Sequence, residues 1–471
     1  MISNLFGTKK SHYQSINPFD NKLVESFEGL TEDQIQKHLR DAETCYETWQ
    51  HSSMTHRAEI VAKAASILRS RSGEFAHLVT LEMGKLISQA EAEVALSADI
   101  LEYYATHAEH FLAPHHLKPS IGSATIESTP IGVLLGVQPW NFPYYQLARF
   151  AAPNIMAGNV VMVKHAECVP QCALAFERLW VEAGAPVGLY TNLFITHDQV
   201  GDLIDNPIIK GVAVTGSVAA GKAVASRAGL NLKKSTMELG GSDAFIILED
   251  ADLPKAVEWA IWAKMNNTGQ CCVAGKRFIV VEELANPFME FFQAALEKYE
   301  PGDPMDRMTT LGPLSTEAAL VTLLEQVDQA ISHGATLVMG GNRIDRPGAF
   351  MAPTILTDIS PSNPAYHEEF FGPVALFFKV KNEAEAITLA NDSQFGLGGS
   401  VFTKDVVRGK RVASCIDTGM VFVNHPTWTA ANLPFGGVKN SGYGRELSNL
   451  GIQEFVNKKL IRVVDINSSA V

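Results

Sequence analysis

Cysteine is scarce in this 471-residue chain: six residues, at 45, 168, 172, 271, 272 and 415, are too few and too scattered for a disulfide framework. A reducing cytoplasm is therefore the expected location. There is no CxxC or HxxxH spacing, and the pair His115-His116 stands alone, so no metal site is expected. Basic residues are outnumbered 38 to 51, giving a formal charge of −13 that disfavours nucleic acid as a partner. No uncharged apolar run reaches the ~18 residues of a membrane span. The opening MISNLFGTKKSHYQ lacks the charged-then-apolar order of a signal peptide. The dinucleotide fingerprint GxGxxG is missing as well.

What is present is ample apolar material, 46% of the residues, in a chain long enough for two or three domains. Residues 31–112 read as helical. Thr31-Glu-Asp-Gln34 has the form of a capping box, and Ile60, Val61, Ala64, Ile67 and Leu68 share one helix face. Beyond Pro114 the segment Ser123–Ser128 (SATIES) alternates like an exposed strand. Short apolar runs then recur at Ile131–Val137, Val160–Val163, Leu193–Ile195 and Val212–Val214, with helical stretches between. A second series starts with Phe245–Leu248 and Phe278–Val281, separated by a helix at Leu253–Met265. Strands alternating with helices imply α/β architecture with doubly wound, mostly parallel sheets, and the break between series places a domain boundary near residue 240. The tail Lys458–Val464 (KKLIRVV) is a further strand, expected to pair with SATIES.

Ligands in open α/β sheets bind beyond the carboxyl ends of the strands. The residues following the strands are Gln-Pro-Trp-Asn-Phe-Pro (138–143), Lys164-His-Ala-Glu167 and Thr215-Gly-Ser-Val-Ala-Ala-Gly221. The last suits an anion at a helix N-terminus, and it is equally a good helix cap. Lys164 suits a ribose or phosphate, or a plain surface. Glu167 suits ribose hydroxyls, or caps the next helix. Glu238, before Gly240-Gly241, suits a general base, although a lone glutamate is more often structural. Adjacent Cys271 and Cys272 are by themselves no more than packing residues.

Taken together, PWNFP (139–143), VTGS (214–217), ELGG (238–241), GQCC (269–272), EEFFGPV (368–374) and PFGGVKNSGYGRE (434–446) resemble the aldehyde dehydrogenase superfamily, in its motif order and at roughly its spacing. The resemblance implies that Cys272 is the nucleophile and Cys271 a variable neighbour. It makes Glu238 the general base and Asn141 the oxyanion donor. It places Trp140, Lys164, Glu167, Gly216, Ser217, Leu239, Glu369 and Phe371 around a nicotinamide cofactor. A carboxylate at Glu167 repels a 2′-phosphate, so NAD is expected over NADP, with NADP the alternative. His165 and Val214 depart from frequent proline and phenylalanine.

ELGGSDAF (238–245), LGGSVF (397–402), VNHPTW (423–428) and KHAE (164–167) resemble the succinate-semialdehyde dehydrogenase branch. Arg149, six positions beyond Pro143, offers a bidentate match to the substrate's distal carboxylate, or else pairs with an internal acid. Tyr145, Trp428 and Thr429 are expected to shape the tunnel. The family's architecture implies a cofactor domain over 1–240, interrupted by a strand segment at about 117–130. A catalytic domain follows over 241–449. Segments 117–130 and 450–471 would form a small β oligomerisation flap, giving a homodimer or homotetramer. An acylating CoA-dependent dehydrogenase, a cofactor-independent thiol hydrolase and a catalytically silent scaffold are the rival readings. Glu238, the cofactor residues and the intact Cys272–Glu238–Asn141 set count against them in turn.

Overall fold

Residues 12–468 are described in the computed structural model. Four helices fill the stretch after residue 31: Glu32–Trp49, Met54–Ser70, Ser72–Met83 and Ile87–Phe111. The first begins as its sequence dictates. Thr31 accepts from the Gln34 N–H, and the Gln34 side chain accepts from the Thr31 N–H at 2.8 Å. Ile60, Val61, Ala64 and Leu68 are buried, with Ile67 at the margin of the same face. A hairpin of His12–Asn17 and Lys22–Glu28 precedes these helices and has no counterpart in the sequence reading.

Two large sheets follow. The six-stranded one has the order Gly442–Tyr443, Lys234–Glu238, Ile209–Thr215, Val133–Val137, Val160–Lys164, Tyr190–Asn192, and only the first of these is antiparallel to its neighbour. The seven-stranded one has the order Thr336–Met339, Thr354–Thr357, Val374–Val380, Gly275–Val281, Asp243–Ile247, Gly399–Phe402, Phe422–Val423, again antiparallel only at the first edge. Val160–Lys164, Asp243–Ile247 and Gly275–Val281 are buried throughout because helices cover both faces. That is why they read as continuous apolar runs rather than alternating ones. The helix Leu253–Met265 lies between the two strands expected to flank it.

Three expectations need correction. The strand assigned to Leu193–Ile195 is Tyr190–Asn192 instead. The apolar run continues past it because all three residues are buried: Leu193 and Ile195 join the main core, with Leu193 N–H still donating to Val163 O at 2.8 Å, and Phe194 stacks on Tyr13 of the N-terminal hairpin at 4.4 Å. SATIES is less exposed than expected. It belongs to Ser123–Pro130, which lies between the tail strand Val456–Val463 and His115–Leu117 in a three-stranded antiparallel sheet. The pairing of tail and SATIES is as anticipated, with Lys458 opposite Ser128 and Val463 opposite Ser123. Finally, the segment 241–449 does not stay with the second sheet. Its end returns to the first, where Phe435 and Leu447 join the core beneath the six-stranded sheet.

Candidate active site

Two cavities meet at Cys272. The larger, about 290 Å³, is lined on one side by Trp140, Asn141, Thr215, Gly216, Ser217, Glu238 and Leu239, and on the other by Glu369 and Phe371. The smaller, about 20 Å³, is apolar and includes Phe142, Tyr145, Trp428, Thr429 and Phe435. Cys272 and Gln146 line both. The contributions follow the topology. Trp140, Asn141, Thr215 and Glu238 come from the carboxyl ends of first-sheet strands. Cys272, Glu369 and Phe371 instead precede the strands Gly275–Val281 and Val374–Val380. Carboxyl ends of one sheet therefore face amino ends of the other across the cavity.

Cys272 sits in a tight turn. Asn267 and Thr268 both have φ of 53°, and Gly269 has φ of 77°, three consecutive left-handed residues. Glycine is required at the third, since a Cβ there would run into the Gly372 carbonyl. The turn is pinned by Thr268 Oγ1 donating to Gly312 O at 3.2 Å and by Ser315 N–H donating to Gln270 Oε1 at 2.8 Å. The Asn141 amide nitrogen donates to Gln270 O at 3.2 Å, which uses one of its two N–H groups and leaves one for another acceptor.

The electrostatics around the thiol centre on Lys276, which with Arg277 opens the buried strand Gly275–Val281. Its ammonium donates to Cys271 O at 2.8 Å, Cys272 O at 2.6 Å and Glu369 Oε1 at 2.8 Å. Cys271 and Cys272 interact with each other as a pair that resists carrying two charges. The Cys271 thiol is held below its ordinary range by its hydrogen bond with Cys272, and the Cys272 thiol is pushed well above it by Cys271 and by burial. Cys271 is the more buried and reaches only the small cavity, whereas Cys272 opens on both, so the thiolate placed to meet a substrate is that of Cys272. Lys276 and Arg149 both favour that thiolate.

Glu238 is buried and neither carboxyl oxygen has a hydrogen-bond partner among the described residues. Burial pushes its pKa well above the usual carboxylate value, with Arg149 opposing. Glu369 is the better anchored acid, accepting from Gly241 N–H at 3.0 Å as well as from Lys276. Gly240 lacks the Cβ that would collide with it.

Of the other expected cofactor residues, Lys164 and Glu167 lie off this cavity, whereas Gly216 and Ser217 line it. Lys164 ends the strand beside Val137, and its side chain is buried instead of lying on the surface. Glu167 is half exposed and 3.5 Å from the Lys164 ammonium. Ser217 caps the helix Val218–Leu230 through Ala220 N–H at 3.2 Å. Gly216 leaves the approach to that helix end open, with no atom nearer than 3.9 Å to where its Cβ would be. An open helix N-terminus, unpartnered Glu238 oxygens and a cavity of this size fit a dinucleotide.

Arg149 is not where direct substrate contact requires it. It lines neither cavity at Cys272. Its guanidinium is 1% exposed, pairs with Glu446, and donates to Tyr145 Oη at 3.1 Å and Thr215 Oγ1 at 3.0 Å. The internal-acid alternative describes it better, because a buried cation this well paired has little left to offer a ligand. Tyr145 Oη in turn lies 2.9 Å from Thr429 Oγ1 at the small cavity. Lys276 and Gln146 were not anticipated. For Lys276 the signal was legible: Lys-Arg opening a strand that is otherwise Phe-Ile-Val-Val.

The comparisons with known proteins agree with this geometry. The sequence model of the Aldehyde dehydrogenase family matches residues 6–461. A succinate-semialdehyde dehydrogenase (NADP(+)) of Deinococcus radiodurans is 48% identical over 96% of this chain and 94% of its own. The succinate semialdehyde dehydrogenase (NAD(P)+) Sad of Escherichia coli is 41% identical over 96% of this chain and 97% of its own. Among solved structures, the succinic semialdehyde dehydrogenase of Streptococcus pyogenes in complex with NADP+ superposes with a TM-score of 0.95 at 44% identity, covering 96% of this chain and 100% of that one. The match spans nearly every residue that builds the site, and the chain belongs to the aldehyde dehydrogenase family.

Proposed function

We propose that this protein oxidises succinic semialdehyde to succinate through a covalent intermediate on Cys272, with NADP or NAD as the electron acceptor. The observation that carries the reading is the position of Cys272 at the junction of a large cavity, with Asn141, Thr215, Ser217, Glu238 and Glu369 in its wall, and a small apolar one, so that cofactor and aldehyde approach one sulfur from two sides. The Cys272 thiolate adds to the aldehyde carbon. The free Asn141 N–H and the Cys272 backbone N–H stabilise the oxyanion, and losing one such donor costs ~10²–10³ in rate. A nicotinamide cofactor in the large cavity would supply the hydride acceptor for that carbon, leaving a thioester on Cys272. Glu238, ionised, then takes a proton from the water that cleaves the resulting thioester. Trp140, Gly216, Ser217, Leu239, Glu369 and Phe371 line the large cavity and are assigned to the cofactor, and Lys164 and Glu167, outside it, are assigned to the adenosine ribose.

For the substrate's carboxylate the geometry favours a hydroxyl relay over an arginine clamp. Tyr145 and Thr429 present hydroxyls at the small cavity, and Arg149 polarises Tyr145 from behind. Trp428 packs edge-on to Phe142 at 6.3 Å and narrows the same cavity. The relatives' names support the substrate. They do not support the expected NAD preference, because two of the three name NADP and the third names both. Glu167, half exposed and held only by a 3.5 Å contact, is free to turn away from a 2′-phosphate beside Lys164. The six-stranded unit is read as the cofactor domain, the seven-stranded unit as the catalytic domain and the three-stranded sheet as an oligomerisation flap. Six free thiols support a reducing compartment.

The test is initial-rate formation of reduced nicotinamide from succinic semialdehyde and from butanal, with each cofactor. The expected result is kcat/KM at least about tenfold higher for the acid aldehyde, falling toward the butanal value in Tyr145→Phe. NADP is expected to be used at least as well as NAD. Equal turnover of both aldehydes, unchanged by Tyr145→Phe, would remove the substrate assignment and leave the dehydrogenase.

A further inference from the structure

We infer that Lys85, Gln89 and Glu93, none of which touches the large cavity, are positioning residues that fix the two oxyanion donors relative to each other. The inference rests on the oxyanion role proposed for Asn141. Gln89 and Glu93 stand one turn apart on the helix Ile87–Phe111, and Lys85 lies just before it. From this one stretch of chain, hydrogen bonds reach both halves of the oxyanion site.

One half is the Asn141 segment. The Lys85 ammonium donates to Asn141 O at 2.9 Å, pairs with Glu93, and lies 3.6 Å over the Phe142 ring, so its donors and its charge are all engaged. Glu93 uses its other oxygen to accept from Tyr144 N–H at 2.9 Å and Tyr145 N–H at 3.3 Å. Those are first-turn amides of the helix Pro143–Ala157, whose own N-cap residue, Phe142, supplies no side-chain cap. The other half is the Cys272 turn. Gln89 Oε1 accepts from Asn267 N–H at 2.9 Å, at the first of the three left-handed residues. Asn267 closes the bracket by donating its side-chain amide to Asn141 O at 2.9 Å and to Gln270 O at 3.1 Å.

Both side chains of the Lys85–Glu93 pair are 0% exposed. Burying such a pair is seldom favourable for stability compared with apolar packing, so its stability contribution does not explain it. Precise placement does, because oxyanion donors must lie within about 0.5 Å of their working positions. The donors here come from separate elements, a loop of one sheet and a strained turn before the other. The 85–93 stretch is bonded to each.

The test is a double-mutant cycle on kcat with succinic semialdehyde and NADP. Glu93→Gln keeps an acceptor for the helix amides and removes the charge that holds Lys85. It is expected to lower kcat about tenfold in the wild-type background and less than about twofold in Asn141→Ala, because a misplaced donor matters only while the donor exists. Cofactor KM and the rate of Cys272 alkylation by iodoacetamide should stay within about twofold, since neither uses the oxyanion site. Equal kcat losses in both backgrounds, or parallel losses in alkylation rate, would overturn the inference and assign the pair to general stability. Wild-type kcat in Asn141→Ala itself would remove the oxyanion reading and this inference with it. If Glu93→Gln does not fold, Gln89→Leu at the half-buried end serves instead. A fall in kcat of about fivefold or more at unchanged Tm is expected, and wild-type kcat would refute it.

Discussion

At the scale of single residues, the chemistry depends on a carboxyl, a thiol and a lysine whose surroundings set their charge. Glu238 has its pKa raised by burial, so it holds its proton through the range where ordinary carboxylates have lost theirs. The base form is therefore depleted at low pH and recovered as pH rises. Thioester hydrolysis should climb with pH on a limb that disappears in Glu238→Gln, read from the pH dependence of kcat. Lys276 acts in the opposite sense on sulfur. Its ammonium, buried against the Cys271 and Cys272 carbonyls, favours the thiolate, as does Arg149. Lys276→Met should move the pH curve of Cys272 alkylation upward by about one unit. An unmoved curve would mean that the lysine serves only to hold Glu369.

At the scale of elements, His165 shows how a departure from the common pattern is absorbed. Where the family resemblance leads one to expect proline, the ring of His165 is buried beneath the Asn141 loop. Nδ1 accepts from Ala166 N–H at 2.9 Å, and Nε2, 3.2 Å away, donates to Pro143 O. Burial lowers its pKa from 6.5 to about 4, so the native state keeps it neutral. A depressed histidine contributes stability that is full above pH 6.5 and is lost as pH falls toward 4, up to roughly 3 kcal/mol. Unfolding midpoints in urea should decline across that window, and His165→Gln should flatten the decline. The sequence marked His165 as unusual without suggesting this role, because burial, an amide donor and a carbonyl acceptor belong to the packed loop. Strands buried on both faces were legible from their apolar runs, as at Val160–Lys164. Leu193–Ile195 misled because burial in the main core and against the N-terminal hairpin extends the apolar run beyond the strand Tyr190–Asn192.

At the scale of the whole molecule, the rule that ligands lie beyond carboxyl strand ends located half of the site. It found Asn141, Gly216 and Ser217 on the first sheet. It is silent about Cys272, Glu369 and Phe371, which precede their strands, and only the motif resemblance brought these in. Arg149 was misplaced for a related reason. Its position on the helix was readable, but its partner Glu446 lies 297 residues along the chain and reaches it only through the return of the tail to the first sheet. That returning tail ends in Val456–Val463, an edge strand with Leu460 59% and Val463 62% exposed. Exposed apolar edges of this kind seek a partner. Leu460→Lys with Val463→Lys should therefore shift sedimentation toward a smaller species, whereas an unchanged assembly would place the interface elsewhere.

The most direct measurement is intact-mass spectrometry of Glu238→Gln after incubation with succinic semialdehyde and NADP. Without its base the enzyme should complete oxidation and stall, so one acyl group should accumulate per chain, located on the peptide containing Cys272 and absent in Cys272→Ala. Sustained succinate production with no adduct, or an acyl group on another residue, would contradict a Cys272 thioester hydrolysed through Glu238.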